Sequence, residues 1–311
     1  MQDDRILNRL KLRDLRILLA VTQAGSMAKA ATHLATSQPA VSRAIADMEA
    51  ALGVALLERS SQGVEPTPYG RALIRRGVAV FDELRQGLKD IEFISDPTVG
   101  EVRVGGTFHT SVGIIAAVID RMSRTYPRVV FHVVTAPPQE LLGELLERNV
   151  DLIIQLTFQP FVDEKIDSEI LYDDQLVVVA GSNSPWSRRR RVELADLVHE
   201  NWALAGNQIL ITRVSEAFRA KGLEPPQATV TGASSHLRDT MLATGRFLTV
   251  MPESLLHLSV RLSSLKVLPV KLPATRGRTR IVTLKNRALS PVAQLFIECA
   301  REIAKPLTRG T

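Results

Sequence analysis

Residues 25–45 read GSMAKAATHLATSQPAVSRAI, and the first third of the chain is understood through them. Ser26 stands where a helix N-cap would, ahead of the run Met27-Ala28-Lys29-Ala30-Ala31-Thr32-His33-Leu34. A hydroxyl at that position can accept a hydrogen bond from an otherwise orphan backbone N–H. Met27, Ala30, Ala31 and Leu34 follow the three-to-four spacing of one helix face. Ala35-Thr36-Ser37 breaks the pattern, and Ser37 is a second N-cap candidate. Pro39 fits the first turn of a new helix, where the backbone N–H groups have no helical partner. Val41, Ile45 and Met48, supported by Leu52, make the second apolar face, and Gly53 ends it. Helices this short need something to pack on. Two of them joined by a three- or four-residue turn, with the small Ala31 where they cross, make a helix-turn-helix.

The polar side of the second helix carries Gln38, Ser42 and Arg43 at i, i+4 and i+5, about a third of a turn round from Val41 and Ile45. Gln can read adenine bidentately, Arg can read guanine, and Ser can meet a base or a phosphate. Between Gly25 and Ala46 the only full charges are Lys29 and Arg43, both positive. That suits a helix entering the major groove. The same pattern also fits a helical hairpin with a solvated polar face.

The flanks favour the first reading. Leu12, Leu15, Leu18, Leu19 and Thr22 lie at core spacing on a helix over 12–24 that would pack behind the pair. After Gly53 comes VALLERSSQGVEPTPYG, two short extended segments around a Ser-Ser-Gln-Gly turn, which reads as a wing. Arg59 and Thr67 flank that wing and are placed to meet phosphates. From Leu15 to Gly70 the chain resembles the N-terminal domain of LysR-type transcriptional regulators. The matching stretches are LRILLAV, GSMAKAATHLATSQPAVSRAI, the Met48-Glu49 pair, LGVALLER and PTPYG. Leu57 stands where the family usually has Phe, Met27 replaces an aromatic, and PTPYG replaces the commoner Leu-Thr-x-x-Gly. The resemblance implies that Ser37, Gln38, Pro39, Ser42 and Arg43 face the groove and that Arg59 and Thr67 are wing contacts. Ser26 and Lys29 complete the expected DNA-contact set.

Residues 68–95 hold no proline after Pro68 and predict one long linker helix. Phe81, Leu84, Leu88 and Ile91 are spaced 3, 4 and 3 apart, a coiled-coil seam. A second copy of the same helix is the simplest partner for it, and Gly77 and Gly87 read as sites of close helix approach. The resemblance agrees on a dimer and implies a dimer of dimers.

Asp96-Pro97-Thr98-Val99-Gly100 breaks the chain before a second domain, 98–311. VRVGGT, FHVVTA and DLIIQL are strand-length apolar runs separated by helical stretches at 111–126 and 138–149, a βαβαβ pattern with a parallel sheet. LVVVAG, helices at 192–199 and 211–221, ATVTG, a helix at 235–244 and FLTVMP form a second set. LKVLPV, RIVTLK and a helix at 289–304 follow. The expected architecture is an all-α winged helix-turn-helix domain (10–67), the linker helix (68–95) and a two-lobed α/β domain. Lobe I takes about 98–162 and 270–311, and lobe II about 163–269. The family's effector domain has this periplasmic-binding-protein-like form.

Ligands in open α/β sheets bind beyond the carboxyl ends of strands. Here those ends hold Thr107-Phe108-His109-Thr110-Ser111, Thr135-Ala136-Pro137, Thr157-Phe158, Asn207-Gln208-Ile209 and Ser234-Ser235-His236. Hydroxyls at helix N-termini favour an anion. The expected effector is a small carboxylate or a mildly apolar metabolite, with Arg213 and Arg238 able to supply charge. The arginine runs 188–191 and Arg276, Arg278, Arg280 read as solvated loops.

The whole chain carries net charge +6, but residues 1–96 hold 13 Lys+Arg against 12 Asp+Glu, so bulk charge does not mark the DNA-binding part. Cys299 is the only cysteine, which excludes an intrachain disulfide. No apolar run approaches the ~18 residues of a membrane span, and the N-terminus is charged throughout. Those features point to the cytoplasm. The chain lacks a full G-x-G-x-x-G, a G-x-x-x-x-G-K-[ST], an H-E-x-x-H and a G-x-S-x-G. The expectation is therefore a regulator and not an enzyme, with no cofactor and no metal. Its expected partners are double-stranded DNA at an inverted repeat, other copies of itself, and possible contact with RNA polymerase.

Overall fold

A computed structural model describes residues 9–60, 63–159, 163–206, 208–232, 234–259 and 264–308. The chain divides into two units, Met1–Gly87 and Leu88–Thr311.

The first unit begins with α1 (Leu12–Ala24), α2 (Met27–His33) and α3 (Gln38–Leu52). Gly25 and Gly53 end α1 and α3 in the left-handed region, at φ 63 and 70. The core unites Ile17, Leu18 and Val21 of α1 with Ala30, Ala31, Val41, Ile45, Met48 and Leu56. Leu12, expected on the inner stripe of α1, is exposed because it starts the helix, and Ile17 is buried instead. The wing is the antiparallel pair β1 (Leu57–Ser60) and β2 (Gly63–Pro66), in register Leu57↔Pro66 and Ser60↔Gly63. Two contacts hold it in place. Val64 N–H donates to the Gly25 carbonyl at 3.0 Å. The Glu49 carboxylate on α3 accepts the N–H groups of Leu56 at 2.7 Å and Leu57 at 3.2 Å. The long helix α4 (Pro68–Ser95) follows. Gly77 is buried on it beside Leu15 of α1, but a Cβ there would meet Leu15 Cδ2 only at 3.8 Å, an ordinary contact, so no close approach requires glycine there. At Gly87, nothing among the described residues would lie within 4 Å of a Cβ.

The second unit contains β3 (Val99–Gly106), a helical turn Phe108–Thr110, a π-turn Ser111–Ile115, α5 (Ala116–Thr125), β4 (Arg128–Thr135), α6 (Pro138–Leu146) and β5 (Leu152–Thr157). It continues with β6 (Ile166–Gly181), β7 (Asn201–Ala205), α7 (Gln208–Arg219), β8 (Ala228–Gly232) and α8 (Ser235–Ala243). It closes with β9 (Phe247–Pro252), α9 (Glu253–Leu258), β10 (Leu265–Val267), β11 (Arg276–Leu284) and α10 (Pro291–Thr308). The strands run β4-β3-β5-β11-β6-β9-β7-β8, with β10 also paired to β6. β3 is parallel to β4 and β5, and β7 is parallel to β8 and β9, so each lobe has a parallel half-sheet. β6 joins them: residues 166–175 pair antiparallel with β11, and Leu176–Ala180 pair antiparallel with β9.

The stretch before β7, and β7 itself, depart from the sequence reading. The expected helix at 192–199 is one 3₁₀ turn, Leu194–Leu197, closed by a reciprocal Glu193/Asp196 capping box. The unexpected β7 follows it. Trp202 on β7 is fully buried and donates its indole N–H to the Leu197 carbonyl at 2.9 Å, which fixes the turn against the strand.

The two Glu49 hydrogen bonds are charge-assisted and part-buried, and such bonds contribute about 1.5–3 kcal/mol. Glu49→Ala is expected to raise hydrogen-exchange rates at the Leu56 and Leu57 amides while leaving those of α1 near their original values. Unchanged protection at the two amides would show that the β1–β2 ladder alone holds the wing.

Candidate nucleic-acid and effector sites

The outer face of α3 takes its shape from the division the sequence announces. Val41, Ile45 and Met48 are buried, while Ser37, Gln38, Pro39, Ser42 and Arg43 are exposed together at the N-terminal end. Ser37 caps the helix, its hydroxyl accepting from Ala40 N at 3.4 Å. Ser42 donates to Met27 Sδ at 3.4 Å, so the thioether that replaces an aromatic here touches the recognition helix. Lys29 is exposed on α2 and Ser26 is half-buried at its start, without a side-chain capping bond. Arg59 lies on β1, with its side chain outside the described part.

Thr67 corrects the sequence reading. It is buried; its hydroxyl donates to the Ala55 carbonyl at 2.7 Å and accepts from Gly70 N at 3.0 Å. It ties the start of α4 to the segment that leads into the wing and does not present itself to a phosphate. Gly70 is required beside it, because a Cβ there would land on the Leu56 carbonyl oxygen.

In the second unit the turn after β3 holds the predicted cleft residues Thr107 to Ser111. Thr107 and Thr110 hydroxyls lie 3.2 Å apart, and Thr135 donates to Ser111 Oγ at 2.9 Å. Thr110 is buried and donates to the Ile154 carbonyl at 2.6 Å, so it holds the turn on β5 and is closed to a ligand. Pro137 is exposed at the start of α6. Ser234 is occupied as the N-cap of α8, accepting from Leu237 N, and Gln208 and Ile209 are exposed at the start of α7. Ser235 begins α8 with its side chain outside the described part, where Asn207 lies entirely.

The two lobes meet at Phe108, His109 and Arg238. His109 packs edge-on against Phe108, with centroids 5.5 Å apart, and the Arg238 guanidinium lies over the same ring at 5.4 Å. Arg238 is only 7% exposed. Among the described residues, His109 Nε2, Arg238 Nε and Asp239 Oδ1 are buried without hydrogen-bond partners. Burial, reinforced by the Arg238 charge, holds the His109 imidazole down to about pKa 3. Burial also lowers the Arg238 pKa. The sequence signal for Arg238 was only its spacing from the Ser234 cap. Arg213 covers Phe158 at 5.0 Å and pairs with Glu216 at 2.9 Å. Thr157 and Phe158 line a different space, a cavity of about 360 Å³ against β6 and β11. Arg188–Arg191 are exposed, as expected, with Arg189 over Trp186 at 4.9 Å.

A winged helix-turn-helix joined by a long helix to a two-lobed α/β unit defines a DNA-binding regulator with a ligand-sensing half. Residues 12–71 match the family model "Bacterial regulatory helix-turn-helix protein, lysR family" and residues 95–305 match "LysR substrate binding domain". The chain belongs to the LysR family of transcriptional regulators. It is 29% identical over 296 residues to the HTH-type transcriptional regulator GbpR of Azospirillum brasilense, covering 94% of this chain and 86% of that one. It is 25% identical over 290 residues to the transcriptional dual regulator GltC of Bacillus subtilis, covering 93% and 96%. Among solved structures, full-length CbnR complexed with its target DNA aligns with TM-score 0.54 at 21% identity, covering 95% of this chain and 100% of that one. A full-length OxyR variant from Pseudomonas aeruginosa aligns with TM-score 0.64 at 20% identity, covering 96% and 97%, so the fold is shared. Among the described residues no helix is long and apolar enough to cross a membrane.

Thr67→Val is expected to lower the stability of the first unit by about 1–2 kcal/mol, through loss of the cap. DNA affinity measured well below the unfolding transition should stay at the wild-type value. A drop in affinity with the unit fully folded would restore the phosphate contact.

His109 gives a pH dependence of known sign. The unfolded chain takes up its proton near pH 6.5, the folded chain only near 3, so stability falls as pH drops through that window. His109→Gln is expected to flatten the acid side of a melting-temperature profile between those values. An unchanged profile would mean that His109 charges in the folded state.

Proposed function

We propose that this regulator binds an interrupted inverted repeat near a promoter as a cytoplasmic homodimer, assembling further to a tetramer. Gln38, Ser42 and Arg43 read bases, while Ser26, Lys29, Ser37, Pro39 and Arg59 position the helix on the backbone. The observation that carries the reading is the division of α3: its apolar residues are buried and its polar N-terminal face is free. Dimerisation is supported by the seam on α4, where Leu84, Leu88 and Ile91 are all exposed. Two copies would present two recognition helices to half-sites about one DNA turn apart.

The effector is a small anion, with a carboxylate as the natural choice. It binds in the cleft between the turn after β3 and α8, where it would pair Arg238 Nε and accept or donate at His109 Nε2. Thr107, Phe108, Ser111 and Thr135 shape lobe I's side of that cleft, and Pro137, Gln208, Ile209, Ser234 and Ser235 its rim. Lobe closure around the anion repositions the paired DNA-binding domains and changes access for RNA polymerase.

The test is a salt titration of binding to the DNA upstream of the protein's own gene, against scrambled DNA. Specific binding should have a Kd of about 10⁻⁸–10⁻¹¹ M and exceed binding to the scramble by at least ~10³. Arg43→Ala should cost about 1–3 kcal/mol at the specific site alone. Equal, weak and steeply salt-dependent binding to both DNAs would leave only electrostatics and overturn base reading by α3.

A further inference from the structure

We infer that the cavity at the crossing between the lobes is a second ligand site, which takes a small oxyanion carried as a phosphate or a carboxylate. The sequence reading left Arg276, Arg278 and Arg280 as solvated. They occupy alternate positions of β11, so their side chains share one face of the sheet. All three line a cavity of about 360 Å³, together with Gln159 and with Asp173 and Gln175, the ladder partners of Arg278 and Arg276 on β6. That volume suits a small metabolite.

The polar groups in the cavity are unevenly satisfied. Arg278 pairs with Asp173 at 3.2 Å, and both are exposed. The Gln175 amide donates to Glu253 at 2.7 Å. The Asp174 carboxylate is satisfied from within, accepting from Ser254 Oγ at 2.5 Å, Ser254 N at 3.2 Å and Gln175 N at 2.9 Å. Arg276 has no ion-pair partner among the described residues. Arg280 is only 8% exposed; it donates through Nη1 to Ser168 Oγ at 3.2 Å, and its Nε is buried with no partner among the described residues. A buried guanidinium N–H without an acceptor is an uncommon and costly arrangement. One planar two-oxygen group, entering beside the free Arg276 and reaching Arg280, supplies the missing acceptor, and the flat guanidinium fork matches that geometry.

The site is separate from the strand-end cleft. Neither the Thr107–Ser111 turn nor Arg238 lines it, and of the predicted cleft residues only Thr157 and Phe158 do. Thr157 donates its hydroxyl to the Arg278 carbonyl, so its part there is to shape the wall. The walls come from the end of β5, from β11 and from β6, the strand that crosses between lobes, so an occupant braces the crossing itself.

Calorimetry on the full chain tests this with two probes, inorganic phosphate and citrate, on wild type, Arg276→Gln and Arg238→Gln. Arg276 is exposed, so its replacement leaves the core intact. Saturable binding of one probe is expected, weakened about tenfold or more by Arg276→Gln and unchanged by Arg238→Gln. Whichever probe binds identifies the source of the oxyanion. Arg276→Lys, which keeps the charge without the fork, should retain part of the affinity. Loss in Arg238→Gln with retention in Arg276→Gln would place the anion in the strand-end cleft and overturn the second site. Absence of saturable binding of either probe to wild type would also overturn it, while leaving the cleft reading open to other anions.

Discussion

One strand belongs to both lobes, and the second unit is arranged around it. β6 is 16 residues long; its first part completes lobe I through β11 and its last part completes lobe II through β9. Its register cannot slip, because a shift of one residue would turn every buried side chain to the opposite face. The crossing point is polar but closed. Asp174 sits there, buried, with its carboxylate bound to the start of α9 through Ser254. Burial raises the Asp174 pKa, and the hydrogen bonds from Ser254 and Gln175 oppose that rise. Tyr172, two residues earlier, is pushed up to about 12 by burial, beside Ser254 and Thr279. These contacts resist sliding at the crossing.

The long helix α4 has two different faces over its last turns. Phe93 packs on the core of lobe I, and Lys89 reaches Glu101 at 3.4 Å and Asp151 at 3.8 Å. Asp151 is itself buried against Arg287 at 3.0 Å and accepts the Arg103 backbone N–H at 2.9 Å. Removing one member of a buried pair like this costs about 3–5 kcal/mol, because it strands the other charge. With that face held by lobe I, the seam residues Leu88 and Ile91 stay uncovered, at 66% and 62% exposure. Neighbouring positions of one amphipathic pattern thus do unrelated jobs. Periodicity finds the seam but cannot tell which residues an adjoining domain will claim.

What could be read from the sequence was short-range. The caps at Ser37 and Gly53, the buried triplet Val41, Ile45 and Met48, and the strands of the βαβαβ pattern are set by residues a turn or a pleat apart. The errors lie where a distant partner decides. Thr67 looks like a surface hydroxyl until Ala55 and Leu56 fold against it. Residues 192–199 have helical composition, but burial of Trp202 pulls the following segment into the sheet. Gln175 and Asp174 carry no strand signal, yet β6 runs through them because β11 and β9 supply partners on either side. Arg280 reads as a solvated charge and Arg238 as a charge available to the cleft, and only tertiary packing buries them.

The unpartnered groups at the cleft bear directly on how a ligand could act as a switch. A ligand moves a two-state equilibrium only by the difference in its affinity for the two states. Binding to one lobe alone gives no such difference. His109 comes from lobe I, Arg238 and Asp239 from lobe II, and each holds a buried polar atom without a partner among the described residues. An anion that meets both lobes is bound fully only when they are together, so the contacts that give it affinity also favour closure. A shift from 1:99 to 99:1 needs about 10⁴-fold preference for one state. One charge-assisted hydrogen bond contributes about 1.5–3 kcal/mol, so two or three of them formed only on closure reach that preference. Phe108 strengthens the effect by excluding water from beneath the guanidinium, which makes each bond count for more than it would in solvent.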